Sequence, residues 1–195
     1  MPISFQTKCQ IWLLQWRAKV LLTLGIRKQA VDTFHAILAL NANNLYAINS
    51  LGYEALRNQH LPQALSWFER ALKIDATHSN AQFNVAFILE ELGRLPEAEQ
   101  AFRAAIALDE KADRAWYGLG LVLVRLGRLD EALVSFKRNT KLQPMSPYAW
   151  YQMARVHIDL KQPGEARDVI THLKGFEPKV AAQLERETGI KAISF

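Results

Sequence analysis

The chain has 195 residues, half of them hydrophobic, with seven prolines and nine glycines dispersed through it; this composition excludes a disordered chain and fits either one or two ordinary domains or one elongated array. A net charge of +5 is weaker than a dedicated nucleic-acid binder would carry, so no nucleic-acid partner is expected. The single cysteine, Cys9, excludes an internal disulfide and any cysteine-based metal site, and it fits a reducing, cytoplasmic setting.

The first strong element is the apolar stretch QIWLLQWRAKVLLTL, residues 10–24. Arg17 and Lys19 interrupt it, and it is too short to span a bilayer, so membrane insertion is not expected. It reads instead as the first helix of a repeating pattern. The phrase LGRLPEA at Leu92–Ala98 returns as LGRLDEA at Leu126–Ala132, an offset of 34 residues. A fixed period in this range is the mark of stacked repeats. Placing Leu-Gly at repeat positions 14 and 15 divides the chain into blocks 11–44, 45–78, 79–112, 113–146 and 147–180 without insertions, followed by a C-terminal capping helix and tail in 181–195.

The register holds in all five blocks. Position 20 is Ala30, Ala64, Ala98, Ala132 and Ala166; position 24 is Phe34, Phe68, Phe102, Phe136 and Ile170. Position 8 is always small: Ala18, Gly52, Ala86, Gly120 and Ala154. Apolar residues fall at helical spacing over positions 1–14 and 18–31, so each block predicts a helical hairpin. Gly25, Gly93 and Gly127 suit the left-handed residue that ends a helix, and Pro62 and Pro96 suit the first turn of the next. The small residues at 8 and 20 allow close helix approach, and the aromatic at 24 fills the space between hairpins. Residues from Lys179 to Thr188 predict a short polar closing helix stopped by Gly189. Charge follows no single stripe: residues 1–44 carry +4, 79–112 carry −3 and 113–146 carry +3.

This pattern resembles the tetratricopeptide repeat, most fully in the fourth block, where Trp116, Leu119, Gly120, Leu123, Ala132, Phe136 and Pro144 stand at the family's positions. The resemblance covers residues 11–180. It implies an all-α fold, a right-handed superhelical solenoid of antiparallel helix pairs forming a single array. Arg17 at position 7, where the other blocks have Leu51, Val85, Leu119 and Met153, suits a terminal repeat with one face in solvent. Asn139 and His157 break the apolar pattern at positions 27 and 11 and are expected to be satisfied polar groups.

No constellation for catalysis emerges. The five histidines sit at different repeat positions and do not converge, Gly118-Leu119-Gly120 lies within a helix, and no nucleophile or metal motif is present. The protein is therefore expected not to be an enzyme and to use no cofactor and no catalytic metal.

The resemblance implies that the first helix of each hairpin lines a concave, peptide-binding face through positions 2, 5, 9, 12 and 13. The first block there offers Trp12, Gln15, Lys19, Leu22 and Thr23. The second offers Tyr46, Asn49 and Tyr53, and the third Asn80, Phe83 and Phe87, with Asn84 at position 6. The fourth offers Arg114, Tyr117 and Leu121, and the fifth Tyr148, Tyr151 and Arg155. Tyr, Phe and Arg carry much of the energy of protein interfaces, and asparagine can pair with a ligand's main chain. The expected function is a non-enzymatic adaptor that holds a peptide segment of a partner protein. The alternatives are a chaperone of a secretion or assembly system and, less favoured, an RNA-binding helical repeat. The carboxylate clamp by which some family members hold chaperone tails is not expected, because of its residues only Asn84 matches outright and Arg114 conservatively. Trp12 and Trp16, with Ile190, Ile193 and Phe195, predict apolar surface at the array ends and a weak homodimer through them.

Overall fold

The computed structural model describes residues 4–193, and all regular structure among them is helical. Eleven helices follow one another among the described residues: α1 (Phe5–Thr23), α2 (Arg27–Leu40), α3 (Leu45–Arg57), α4 (Leu61–Ile74), α5 (Ser79–Glu91), α6 (Leu95–Leu108), α7 (Asp113–Arg125), α8 (Leu129–Leu142), α9 (Pro147–Asp159), α10 (Pro163–Lys174) and α11 (Pro178–Thr188). Within the blocks the helices cover positions 1–13 and 17–30, α10 ending at position 28. α1 is the exception at its start, running six residues ahead of the first block. Ser4 accepts the Thr7 amide at 3.1 Å and caps it, and no breaker separates Phe5 from Ile11.

The chain forms two compact units, residues 1–92 and 93–195, which divide in sequence at the turn Leu92–Gly93. In the first unit α1–α2 and α3–α4 pair as hairpins, α2 packs on α3, and α4 on α5. In the second, α7–α8 and α9–α10 pair in the same way, α6 packs on α7, α8 on α9, and α11 packs on α10 and touches α9.

The same few positions build both cores. The alanines at position 20 are fully buried, as are Phe34, Phe68, Phe136 and Ile170 at position 24, and Phe102 is nearly so. The small residue at position 8 is explained by that aromatic: a Cβ added to Gly52 would come within 2.8 Å of the Phe68 ring, and one added to Gly120 within 2.4 Å of the Phe136 ring. Gly118, at position 6, meets the Phe102 ring of the preceding hairpin at 2.4 Å in the same way. The aromatic therefore packs both against its own hairpin and against the neighbouring one.

Position 15 is left-handed throughout. Gly25, Gly93 and Gly127 have φ near 75°, and Gln59 and Lys161 hold the same place at φ 61° without the freedom of glycine. Gly189 closes α11 at φ 73°. Asn139 and His157 are both buried and satisfied: Asn139 donates to the Asp113 carbonyl at 2.7 Å, and His157 Nδ1 lies 2.8 Å from Gln162 Oε1.

Candidate functional site

In the first unit, α3 carries Tyr46, Asn49 and Tyr53 at intervals of three and four residues, so they form one ridge. Together with Asn80 at the start of α5 they line an open cavity of about 490 Å³, completed by Leu22, Leu45, Ser50 and His78. No Asp, Glu, Lys or Arg is among its lining residues. Burial pushes the Tyr46 phenol upward, and its ring meets Phe34 edge-on at 5.8 Å. Tyr53 packs edge-on to Phe68 at 5.2 Å while half of it stays exposed, and its hydroxyl accepts the buried Asn84 amide at 3.0 Å. Phe83 and Phe87 stack on each other along α5, with centroids 6.5 Å apart.

Asn49 has an unmet polar demand. Its amide nitrogen donates to the Leu45 carbonyl at 2.9 Å, and its buried oxygen has no hydrogen-bond partner among the described residues. The same nitrogen lies 3.1 Å from His78 Nε2. His78 Nδ1 accepts the Ala81 amide at 3.2 Å, so a neutral imidazole carries its proton on Nε2 and faces the Asn49 amide donor to donor. Turning the amide over satisfies His78 but sets oxygen against the Leu45 carbonyl. Either way one polar atom of Asn49 lacks a partner among the described residues.

In the second unit, α7 carries Arg114, Tyr117 and Leu121. Tyr117 and Leu121 are half-buried, and the Tyr117 ring packs at 5.8 Å on Phe136, so it belongs partly to the core. On α9, Tyr148 is exposed, whereas Tyr151 and Arg155 are engaged from within the chain. The Tyr151 hydroxyl donates to Glu187 Oε2 of α11 at 2.7 Å, Arg155 Nη1 lies 3.4 Å from the same hydroxyl, and Gln183 donates to Glu187 Oε1 at 2.7 Å. The Tyr151 hydroxyl, then the Gln183 amide, hold the Glu187 carboxyl below its ordinary range. Arg155, Ile158, Asp159, Glu187 and Thr188 surround a second cavity of about 380 Å³.

Of the residues the register pointed to, Leu22, Tyr46, Asn49, Tyr53 and Asn80 line the first unit's cavity; Leu45, Ser50 and His78, the last residue of its block, were not among them. In the second unit it found Tyr151 and Arg155 but not the α11 residues that meet them, because that helix lies outside the period. Among the described residues no cluster of His, Cys, Asp or Glu could hold a metal ion, and no helix is long and apolar enough to cross a membrane.

Family models described as tetratricopeptide repeat match residues 86–139 and 67–100. No curated protein matches the sequence. Among solved structures, YrrB, described as a tetratricopeptide-repeat protein with an unusual peptide-binding site, is similar at a TM-score of 0.75 and 20% identity over 87% of this chain and 88% of that one. MamA from Desulfovibrio magneticus RS-1, residues 41 to its end, is similar at 0.77 and 16% over 96% and 99%. The first tetratricopeptide domain of Spaghetti, bound to the HSP90 peptide SRMEEVD, is similar at 0.59 and 19% over 60% and 93%. At these identities the likeness concerns the fold. With the helix pairs, it shows a solenoid fold of the tetratricopeptide-repeat kind, and the repeat models themselves match within residues 67–139.

Proposed function

We propose that the protein is a non-enzymatic scaffold that binds a peptide segment of a partner protein on the first helices of its hairpins. The observation that carries this reading is the open cavity lined by Tyr46, Asn49, Tyr53 and Asn80. The aromatic rings supply area at low rotamer cost, and the exposed Asn80 offers donors and an acceptor to a main chain. With no Asp, Glu, Lys or Arg in its lining, the cavity lacks the Lys or Arg that would fork onto a terminal carboxylate and suits a neutral or apolar side chain of the ligand better. That YrrB has a peptide-binding site and the Spaghetti domain holds a peptide is in keeping with this reading.

A photo-crosslinking residue at the exposed position Asn80, compared with one at the exposed Lys73 on α4, tests it in native lysate. The expected result is a discrete partner captured from Asn80 and not from Lys73, lost when Tyr46 and Tyr53 are both replaced by alanine in a protein that keeps its helical signal. Equal capture from both positions would defeat the proposal.

A further inference from the structure

α1 is apolar on two opposite faces. Ile11, Ala18 and Leu21 point into the first hairpin and are buried. On the opposite side of the helix, Phe5, Cys9, Trp12, Trp16 and Val20 follow one another at intervals of three and four residues, with Leu13 at their edge, and all are exposed. Trp12 and Trp16 lie edge to face at 6.2 Å. Large aromatic surface left open in this way marks an interaction face.

The repeat register says what does not cover it. At position 3 the other blocks have Ala47, Ala81, Ala115 and Ala149, all 0% exposed; the first has Leu13, 60% exposed. At position 6 they have Ser50, Asn84, Gly118 and Gln152, where the first has Trp16, 54% exposed. Small residues let a neighbouring helix approach closely, and the Leu13 and Trp16 side chains would hold such a helix off. The face is therefore not shaped to receive another hairpin, whether from a second copy or from another repeat protein.

Charge decides the class of occupant. Lys8 and Lys19 flank one side of the apolar stripe and Arg17 the other, and the first acidic residue of the chain is Asp32. Two copies joined through this stripe would set cations against cations. The exposed face of one helix gives a protein ligand no groove walls, whereas a fluid bilayer closes around it. Tryptophans with phenylalanine and leucine on one face and lysine and arginine beside it are the composition of helices that lie in the plane of an anionic membrane surface. We propose that the outer face of α1 is a peripheral binding site for anionic lipid bilayers. Trp12 and Trp16 sit at headgroup depth, Phe5, Leu13 and Val20 enter the acyl boundary, and Lys8, Arg17 and Lys19 pair with headgroup phosphates.

Cys9, the only cysteine, lies exposed on this stripe and can carry an environment-sensitive fluorophore in the full chain. Flotation with vesicles of phosphatidylcholine plus phosphatidylglycerol should retain the labelled protein and shift its emission to the blue, and phosphatidylcholine alone should do neither. Unlabelled protein should float in the same way. Trp12→Ser with Trp16→Ser should abolish retention with the helical signal unchanged. Lys8→Glu with Lys19→Glu should weaken it by more than about tenfold. No retention on anionic vesicles at low salt would overturn the proposal, as would retention indifferent to the tryptophan pair. A blue shift that instead tracks protein concentration, with a dimer mass by sedimentation, would assign the face to a second copy. Capture of a protein by a crosslinker at Trp12 without vesicle binding would assign it to a partner helix.

Discussion

Hairpins α3–α4 and α9–α10 have the same construction and opposite surfaces. Both carry a fully buried alanine at position 20, a buried large apolar residue at position 24, Phe68 or Ile170, and a left-handed non-glycine residue at position 15, Gln59 or Lys161. On the exposed side of the first helix the likeness ends. Asn49 and Tyr53 border an open cavity with no Asp, Glu, Lys or Arg in its lining, whereas Tyr151 and Arg155, at the same two positions, are tied to Glu187 of α11. Repeat position thus determines which way a side chain points, and the neighbouring element determines whether it is available.

The largest effect should come from breaking what the hairpins share. Phe68→Ala removes a fully buried ring and should cost about 3–5 kcal/mol in denaturant unfolding. Gly120→Ala, in the hairpin with the tightest approach, should cost about 1–3 kcal/mol, because its Cβ would lie 2.4 Å from the Phe136 ring in a fully buried site. Tyr53→Phe sharpens the contrast on the open side. It keeps the ring on Phe68 but takes the acceptor from the buried Asn84 amide, and should cost about 1–3 kcal/mol by the same measurement. Gln59→Gly and Lys161→Gly test the shared strain. Each should raise stability by up to about 1 kcal/mol, since the relief of the left-handed strain is partly offset by the freer unfolded chain.

The smallest effect concerns the closed side and depends on pH. The Glu187 carboxyl is held below its ordinary value of 4.5, chiefly by the Tyr151 hydroxyl. A carboxyl depressed in the folded state contributes stability that is complete above its unfolded value and is lost as pH falls through the folded one. Amide-exchange protection of α11 should therefore drop below about pH 4.5 before that of α3 does. Glu187→Gln should remove this pH dependence. An α11 equally protected at all pH values would show that the carboxylate does not anchor the helix.

The sequence by itself determined the period, the helix pairs and the core. Ala at 20, Phe at 24 and Gly at 15 answer to local demands: close packing, a ring to fill the gap and a left-handed turn. Such demands recur wherever the hairpin recurs, so most blocks write them with the same residues. Tertiary structure decided what one block cannot encode. That the His78 ring would face Asn49 donor to donor depends on two helices meeting, and that Glu187 would take the Tyr151 hydroxyl depends on a helix outside the repeat folding back on α9. The left-handed Gln59 and Lys161 belong to the same class, because no glycine announces them and the packing of the two flanking helices imposes the turn.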